Sequence, residues 1–266
     1  MMDGQAVLFS ALGSGSGGNA YFVESAAGAL LVDAGFSRRE LLRRMASAGC
    51  DPGRLRGALL THEHGDHSAG AQMLCDTLDI PLYAAAGTAA ALSRCGKLPK
   101  LVRTFEPGGC FEAVGFHVSS FPLSHDVETV GFRLERGGVS IGIATDLGMA
   151  GESVRRYLRH CRALVIESNY DREMLMHSDR RLEVKRRIMG VRGHLGNTDA
   201  CELLGGVLDE ETSLLMIAHV SRECNDAGRL AAVCADRLRE LHAVSCRLEI
   251  LRQDEPCGPF RIDAEG

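Results

Sequence analysis

The sequence predicts an α/β fold of four layers, with two β-sheets packed face to face and helices on both outer surfaces. Two observations carry this. Apolar, β-branched segments of strand length fall in two blocks, and each block is followed by segments of helical period. A sheet that buries one face against another sheet leaves its second face for helices. With 266 residues, 45% of them hydrophobic, the chain can fill such a core. No linker or low-complexity stretch divides it, so residues 1–266 are read as one domain with its core at about 7–252.

In chain order, the first strands are "AVLFSAL", "AYFVES", "ALLVDA" and "GALLTH". A helix fits "SRRELLRRMASAG", with Ser37 and Glu40 as a capping box and Gly49 as its stop. Helices also fit "SAGAQMLCDTL" and "GTAAALSRCG". The second block reads "CFEAVGFHVSSF", "TVGFRLER" and "VSIGIATD" as strands, with Gly137-Gly138 as a tight turn between the last two. The buried run "ALVIESN" follows, then helices over Asp179–Met189, Asn197–Leu208 and Asp226–His242. Strands "SLLMIAHV" and "CRLEILR" complete the set.

Several function classes drop out early. Gly13, Gly15 and Gly18 spell G-x-G-x-x-G, but a hairpin follows them where a dinucleotide site needs a helix. No nicotinamide or flavin dinucleotide is expected. A net charge of −5 excludes a globally basic nucleic-acid binder, though not a local basic patch. No apolar run is long enough to span a bilayer, and the first residues lack a basic leader, which predicts a cytoplasmic protein without membrane partners. The ten cysteines form no C-x-x-C pair and read as reduced core residues.

The chemistry lies in "LLTHEHGDHSAG", where His62, His64, Asp66 and His67 follow an apolar strand within six residues. Such a cluster is costly to bury and repels itself when protonated; a metal removes both problems. Three further candidates also end apolar strands: His125, Asp146 and His219.

These motifs, in this order, resemble the metallo-β-lactamase fold superfamily, an αββα sandwich of two mixed sheets with metals at one edge. "LGSGSGGNAYFVES", "FPLSHDVETVGF", "ESNYD", "RGHLGNTDA" and "AHVSRECND" resemble its YycJ (WalJ) group in particular. Cys224 stands where that group usually has asparagine. The resemblance implies two divalent ions, Zn²⁺ first, with Mn²⁺ or Fe as alternatives. It assigns His62, His64 and His125 to one ion and Asp66, His67 and His219 to the other, with Asp146 bridging. Asp33 in "LLVDAG" matches the buried aspartate that orients the histidine loop. A hydroxide between the two metals is the implied nucleophile, with Asp66 and His194 as catalytic residues. In related nucleases of this fold, including ribonuclease Z, a histidine placed like His194 contacts the phosphate or protonates the leaving oxygen.

A DNA exonuclease is therefore the expected function, with DNA as partner. The basic stretch "RRLEVKRRIMGVRGHLGN" supports it, with Arg181, Lys185 and Arg186 as candidate phosphate contacts. Ser14 and Asn19 in the glycine loop, and Asn197, are further substrate candidates. The rivals are a small-molecule hydrolase acting on a thioester, lactone or cyclic phosphodiester, and a non-catalytic metal-binding regulator.

Overall fold

A computed structural model describes residues 6–264. The first sheet is built from β1 (Val7–Gly13), β2 (Ala20–Ser25), β3 (Gly28–Val32), β4 (Leu55–Leu60), β5 (Leu82–Ala85), β6 (Val102–Phe105) and, from the far end of the chain, β14 (Cys257–Ile262). Its order is β14-β1-β2-β3-β4-β5-β6. The second sheet takes β7 (Cys110–Ala113), β8 (Phe116–Leu123), β9 (Thr129–Arg136), β10 (Val139–Ala144), β11 (Ala163–Glu167), β12 (Leu214–Ala218) and β13 (Arg247–Ile250), in the order β13-β12-β11-β10-β9-β8-β7. Both sheets are mixed. Strands β3 to β6 run parallel, as do β10 to β13, and the remaining pairings are antiparallel.

Alternate side chains of the two sheets meet in one shared core. Phe9, Tyr21, Phe116, Phe132 and Met216 are buried in it. Against the outer face of the first sheet pack α1 (Arg38–Ser47), α3 (Ala71–Leu78) and α4 (Ala86–Arg94), through residues such as Leu41, Leu74 and Leu92. The second sheet is covered by α5 (Glu152–Leu158), α8 (Asn197–Val207) and α9 (Ala227–Glu240), through Leu158, Leu204 and Leu230. Short helices α2 (Gly65–Ser68), α6 (Arg172–His177) and α7 (Leu182–Ile188) sit at the edge where the strands end.

The structure departs from the sequence reading at local points. "CFEAVGFHVSSF" is a hairpin and not one strand: Val114 and Gly115 both have positive φ, 52° and 73°, and close a two-residue turn. A β-branched residue in that conformation is uncommon, so the local sequence does not announce it. Only half of the capping box forms. Ser37 accepts the Glu40 amide, but the Glu40 carboxylate is taken by Arg43 and Arg44. Strands β5 and β6, of 4 residues each, are too short to show a period, and α5 (7 residues) and α6 (6 residues) span fewer than two turns. β14 lies beyond residue 252, where the core was expected to end, and covers the edge of β1.

Candidate metal centre

The ends of β3, β4, β8, β10, β11 and β12 point to one edge of the sandwich, and each delivers a polar side chain there. Three of these residues leave their strand through the left-handed region: Asp33 (φ 61°), Asp146 (φ 63°) and His219 (φ 53°). That conformation costs a non-glycine residue about 1–3 kcal/mol and persists only where the surroundings enforce it. It turns each side chain over the edge of the sheet.

The histidine loop is braced from below. Asp33 accepts the Thr61 amide at 2.9 Å through Oδ1 and His67 Nδ1–H at 2.7 Å through Oδ2. This holds the His67 proton on Nδ1 and leaves Nε2 to face Asp146 Oδ2, 3.1 Å away. Gly35 lies so close to this loop that a Cβ there would sit 1.7 Å from the Asp66 carbonyl oxygen, so only glycine fits. Asn19 donates its amide to the same carbonyl at 2.8 Å.

Four groups of donors result, each with atoms within 4.8 Å of one another: His62, His64 and His125; His62, His67 and Asp146; Asp66, His67 and His219; and Asp146, Glu167, His194 and His219. All seven residues expected from the motifs are among them. His62 Nε2, His219 Nδ1 and Asp146 Oδ2 are buried without a hydrogen-bond partner. Buried polar atoms are normally paired, and convergent orphaned acceptors fit cations between them. The donors are all nitrogen and oxygen, which suits a borderline divalent ion.

Electrostatics follow from this crowding. Burial, and then the charge of His67, push His62 well below the ordinary imidazole range, which keeps its lone pair free. Burial also opposes charge on His219, but Asp146, Asp66 and Glu167 outweigh it and raise its pKa to about 10. The same contest, won by Asp146 and Asp33, raises His67. Asp146 is held well below the carboxylate range despite complete burial, chiefly by His219 and His67.

Glu167 is a residue that sequence reasoning missed. Fully buried at the end of β11, it accepts the Asp146 amide through Oε2 at 2.5 Å and His194 Nδ1–H through Oε1 at 2.8 Å. One carboxylate thus orients both the central aspartate and His194. Burial disfavours a charged His194, but the Glu167 carboxylate and its hydrogen bond prevail and raise the His194 pKa. The available signal was a glutamate ending an apolar strand, as Asp33 and Asp146 do.

The cleft above these groups is walled by Arg180, Val184, Arg187, Ile188 and Arg192, and Ser16 and Asp126 also line it. Several substrate candidates lie elsewhere. Lys185 is buried and donates to the Met176 and Ser178 carbonyls, both at 2.7 Å, so it closes the end of α6. Arg181 is the residue before α7, and neither it nor Arg186 lines the cleft. Ser14 donates to Asn19 Oδ1 and accepts the His219 amide at 2.9 Å. Asn19 is completely buried, spanning Gly15 and His67. The glycine loop offers little to a phosphate: the amides of Ser14, Gly15, Gly17 and Gly18 already have protein partners. Its work is to hold His219 and the histidine loop. Asn197 bonds Ser168 and Asn225, away from the cleft. Asp171 caps α6 by accepting the Met174 amide.

Fold and site together define a metal-dependent hydrolase. The beta-lactamase superfamily domain model matches residues 29–217. The chain is 32% identical to the exodeoxyribonuclease YycJ of Bacillus anthracis over 235 residues, 87% of this chain and 89% of that protein. It is 31% identical to the exodeoxyribonuclease WalJ of Streptococcus pneumoniae, covering 82% of each. In fold it is similar to the metallo-beta-lactamase fold protein YhfI of Bacillus subtilis (TM-score 0.72, 16% identity, 95% of this chain and 99% of that one). The short form of human tRNase Z is also similar (TM-score 0.64, 17% identity, 96% and 99%). The chain belongs to the beta-lactamase superfamily and, within it, to the group of YycJ and WalJ.

Proposed function

We propose that the protein is an exodeoxyribonuclease with two divalent metals per chain. The observation that carries this reading is the cleft itself, in which three arginines face a convergent His/Asp floor. A phosphodiester is anionic at the reacting group and uses both parts, whereas the reacting group of a thioester or lactone is neutral and offers the arginines no partner there. The curated names of the relatives above supply the choice of DNA. His62, His64 and His125 would hold one ion, Asp66, His67 and His219 the other, with Asp146 between them. Zn²⁺ suits these donors best, with Mn²⁺ or Fe as alternatives. Such a pair supplies an activated water and polarises the phosphoryl oxygen.

The chain's own groups do the rest. Arg180, Arg187 and Arg192 are held by Glu223, Asp126 and the His125 and Asp126 carbonyls, and their remaining guanidinium N–H groups bind the strand's phosphates. Glu167 holds His194 Nδ1–H, so that Nε2 is the nitrogen left to carry a proton to the leaving 3′- or 5′-oxygen. The shared core joins both sheets beneath the site, and the whole chain works as one unit in the cytoplasm.

The test is metal-loaded protein on end-labelled duplex and single-stranded DNA, RNA, and bis-p-nitrophenyl phosphate. Stepwise shortening of DNA supports the reading. Turnover of the small diester alone returns the small-molecule hydrolase to first place. His194→Ala should retain its metals and lose ~10²–10⁴-fold on DNA, and much less with p-nitrophenolate, which leaves without a proton. Equal losses on both substrates would assign His194 to phosphate binding.

A further inference from the structure

We propose that Asp126 is an additional ligand of the metal held by His62, His64 and His125; this rests on the metal-centre reading above. Asp126 follows His125 directly. Its Oδ1 is buried and has no hydrogen-bond partner. That atom lies 3.2 Å from His125 Nε2 and 3.5 Å from His64 Nε2. His125 Nδ1–H is donated to the Gly193 carbonyl at 3.1 Å, so Nε2 presents a lone pair. A carboxylate oxygen and an imidazole lone pair at 3.2 Å repel each other unless a proton or a metal ion lies between them, and Oδ1 receives no hydrogen bond. Ligand atoms ~2.0–2.2 Å from one four- or five-coordinate Zn²⁺ lie roughly 3.0–3.5 Å apart, and the two observed separations fall in that range.

The rest of the residue is fixed as a ligand's outer side is fixed. Asp126 Oδ2 accepts Arg187 at 2.5 Å, and Arg192 bonds the carbonyls of both His125 (2.7 Å) and Asp126 (2.9 Å). These arginines clamp the His125-Asp126 pair and aim Oδ1 at the floor of the cleft. The three histidines alone form a neutral donor set. Asp126 adds the one negative charge that this position otherwise lacks apart from Asp146.

The experiment is chelator competition with Zn²⁺ and the absorption spectrum of the Co²⁺ form, on the parent, Asp126→Asn and Arg187→Ala. Melting of the metal-free Asp126→Asn protein at the parent temperature shows that its fold is kept; Asp126→Glu replaces it if it does not. The expected result is a loss of more than ~100-fold in affinity at one of two sites for Asp126→Asn, with a changed Co²⁺ spectrum. Arg187→Ala, which removes an outer partner, should lose ~10–100-fold and keep the spectrum. Parent affinity and spectrum in Asp126→Asn overturn the proposal. So does a loss equal to that of Arg187→Ala with an unchanged spectrum, because Asp126 would then only position its neighbours. A parent protein that takes up no metal overturns the metal-centre reading itself.

Discussion

Asp33 and Glu167 show how single buried carboxylates organise this site. Asp33 takes one backbone amide and Glu167 two, each takes one imidazole N–H, and each thereby decides which nitrogen of a histidine stays free. The histidines they face set a pH dependence. In the metal-free protein His67 and His194 have raised pKa values, and His219 is raised to about 10. Their ion pairs stabilise that form fully below the ordinary histidine pKa of ~6.5, and the contribution fades as pH rises through the folded values. A metal needs the neutral imidazole, so binding must expel the protons of the two ligands among them, His67 and His219. Metal affinity should therefore rise with pH between about 7 and 10. Calorimetry in buffers of different ionisation enthalpy counts the protons, and zero release at pH 7 would contradict the protonated pair. Asp146 touches both donor groups, so Asp146→Ala should lose more than one metal equivalent by elemental analysis. Full occupancy would remove it as the bridge.

Among the elements, α7 explains why a basic stretch need not bind DNA uniformly. Val184, Arg187 and Ile188 share the face turned to the cleft, at the i, i+3, i+4 spacing of a helix. Lys185 lies on another face, pinned to two carbonyls. Each arginine that meets a backbone phosphate should steepen the rise of log Kd with log salt by about 0.9 on duplex DNA. Arg180→Ala/Arg187→Ala/Arg192→Ala should flatten the slope by roughly two to three. Arg181→Ala/Arg186→Ala should leave it unchanged, and a flattened slope there would restore the outer face as the DNA surface. Lys185→Met strips the cation from two carbonyls and should cost about 1–3 kcal/mol in urea unfolding, with no change in slope.

For the whole molecule, stability and the site are coupled through the shared edge. Arg44, buried beneath the glycine loop, bonds the carbonyls of Leu12 and Gln253, which ties β1 to the segment leading into β14. β14 in turn covers an edge strand that would otherwise pair with other chains. Ile262, 3% exposed, seats β14 in the core between the sheets. Ile262→Ala should cost about 2–5 kcal/mol of unfolding free energy. A neutral result would show that β14 is dispensable. Chelating the metals should lower stability further, by ~2.7 kcal/mol per site when free metal stands at 100 times its Kd. A melting temperature indifferent to chelator would contradict metal binding to the folded state alone.

The sequence by itself determined the two-block strand pattern, most strand and helix positions, and which seven candidate donors, with Asp33, gather at one edge. These are local signals: alternation along a strand, and histidines and aspartates crowded at strand ends. Only the tertiary structure decided which arginines face the cleft, because a helix's orientation depends on what its buried face packs against. Lys185 reads as a DNA contact in the sequence and is a cap in the fold. Ser14 and Asn19 of the glycine loop read as substrate contacts, but both are tied up inside the protein, and the loop's amides are consumed by Asn19, Gly15, Arg252 and Gln253. Glu167 and Asp126 escaped notice for the same reason. Their significance lies in partners 20 and more residues away, and only packing brings those together.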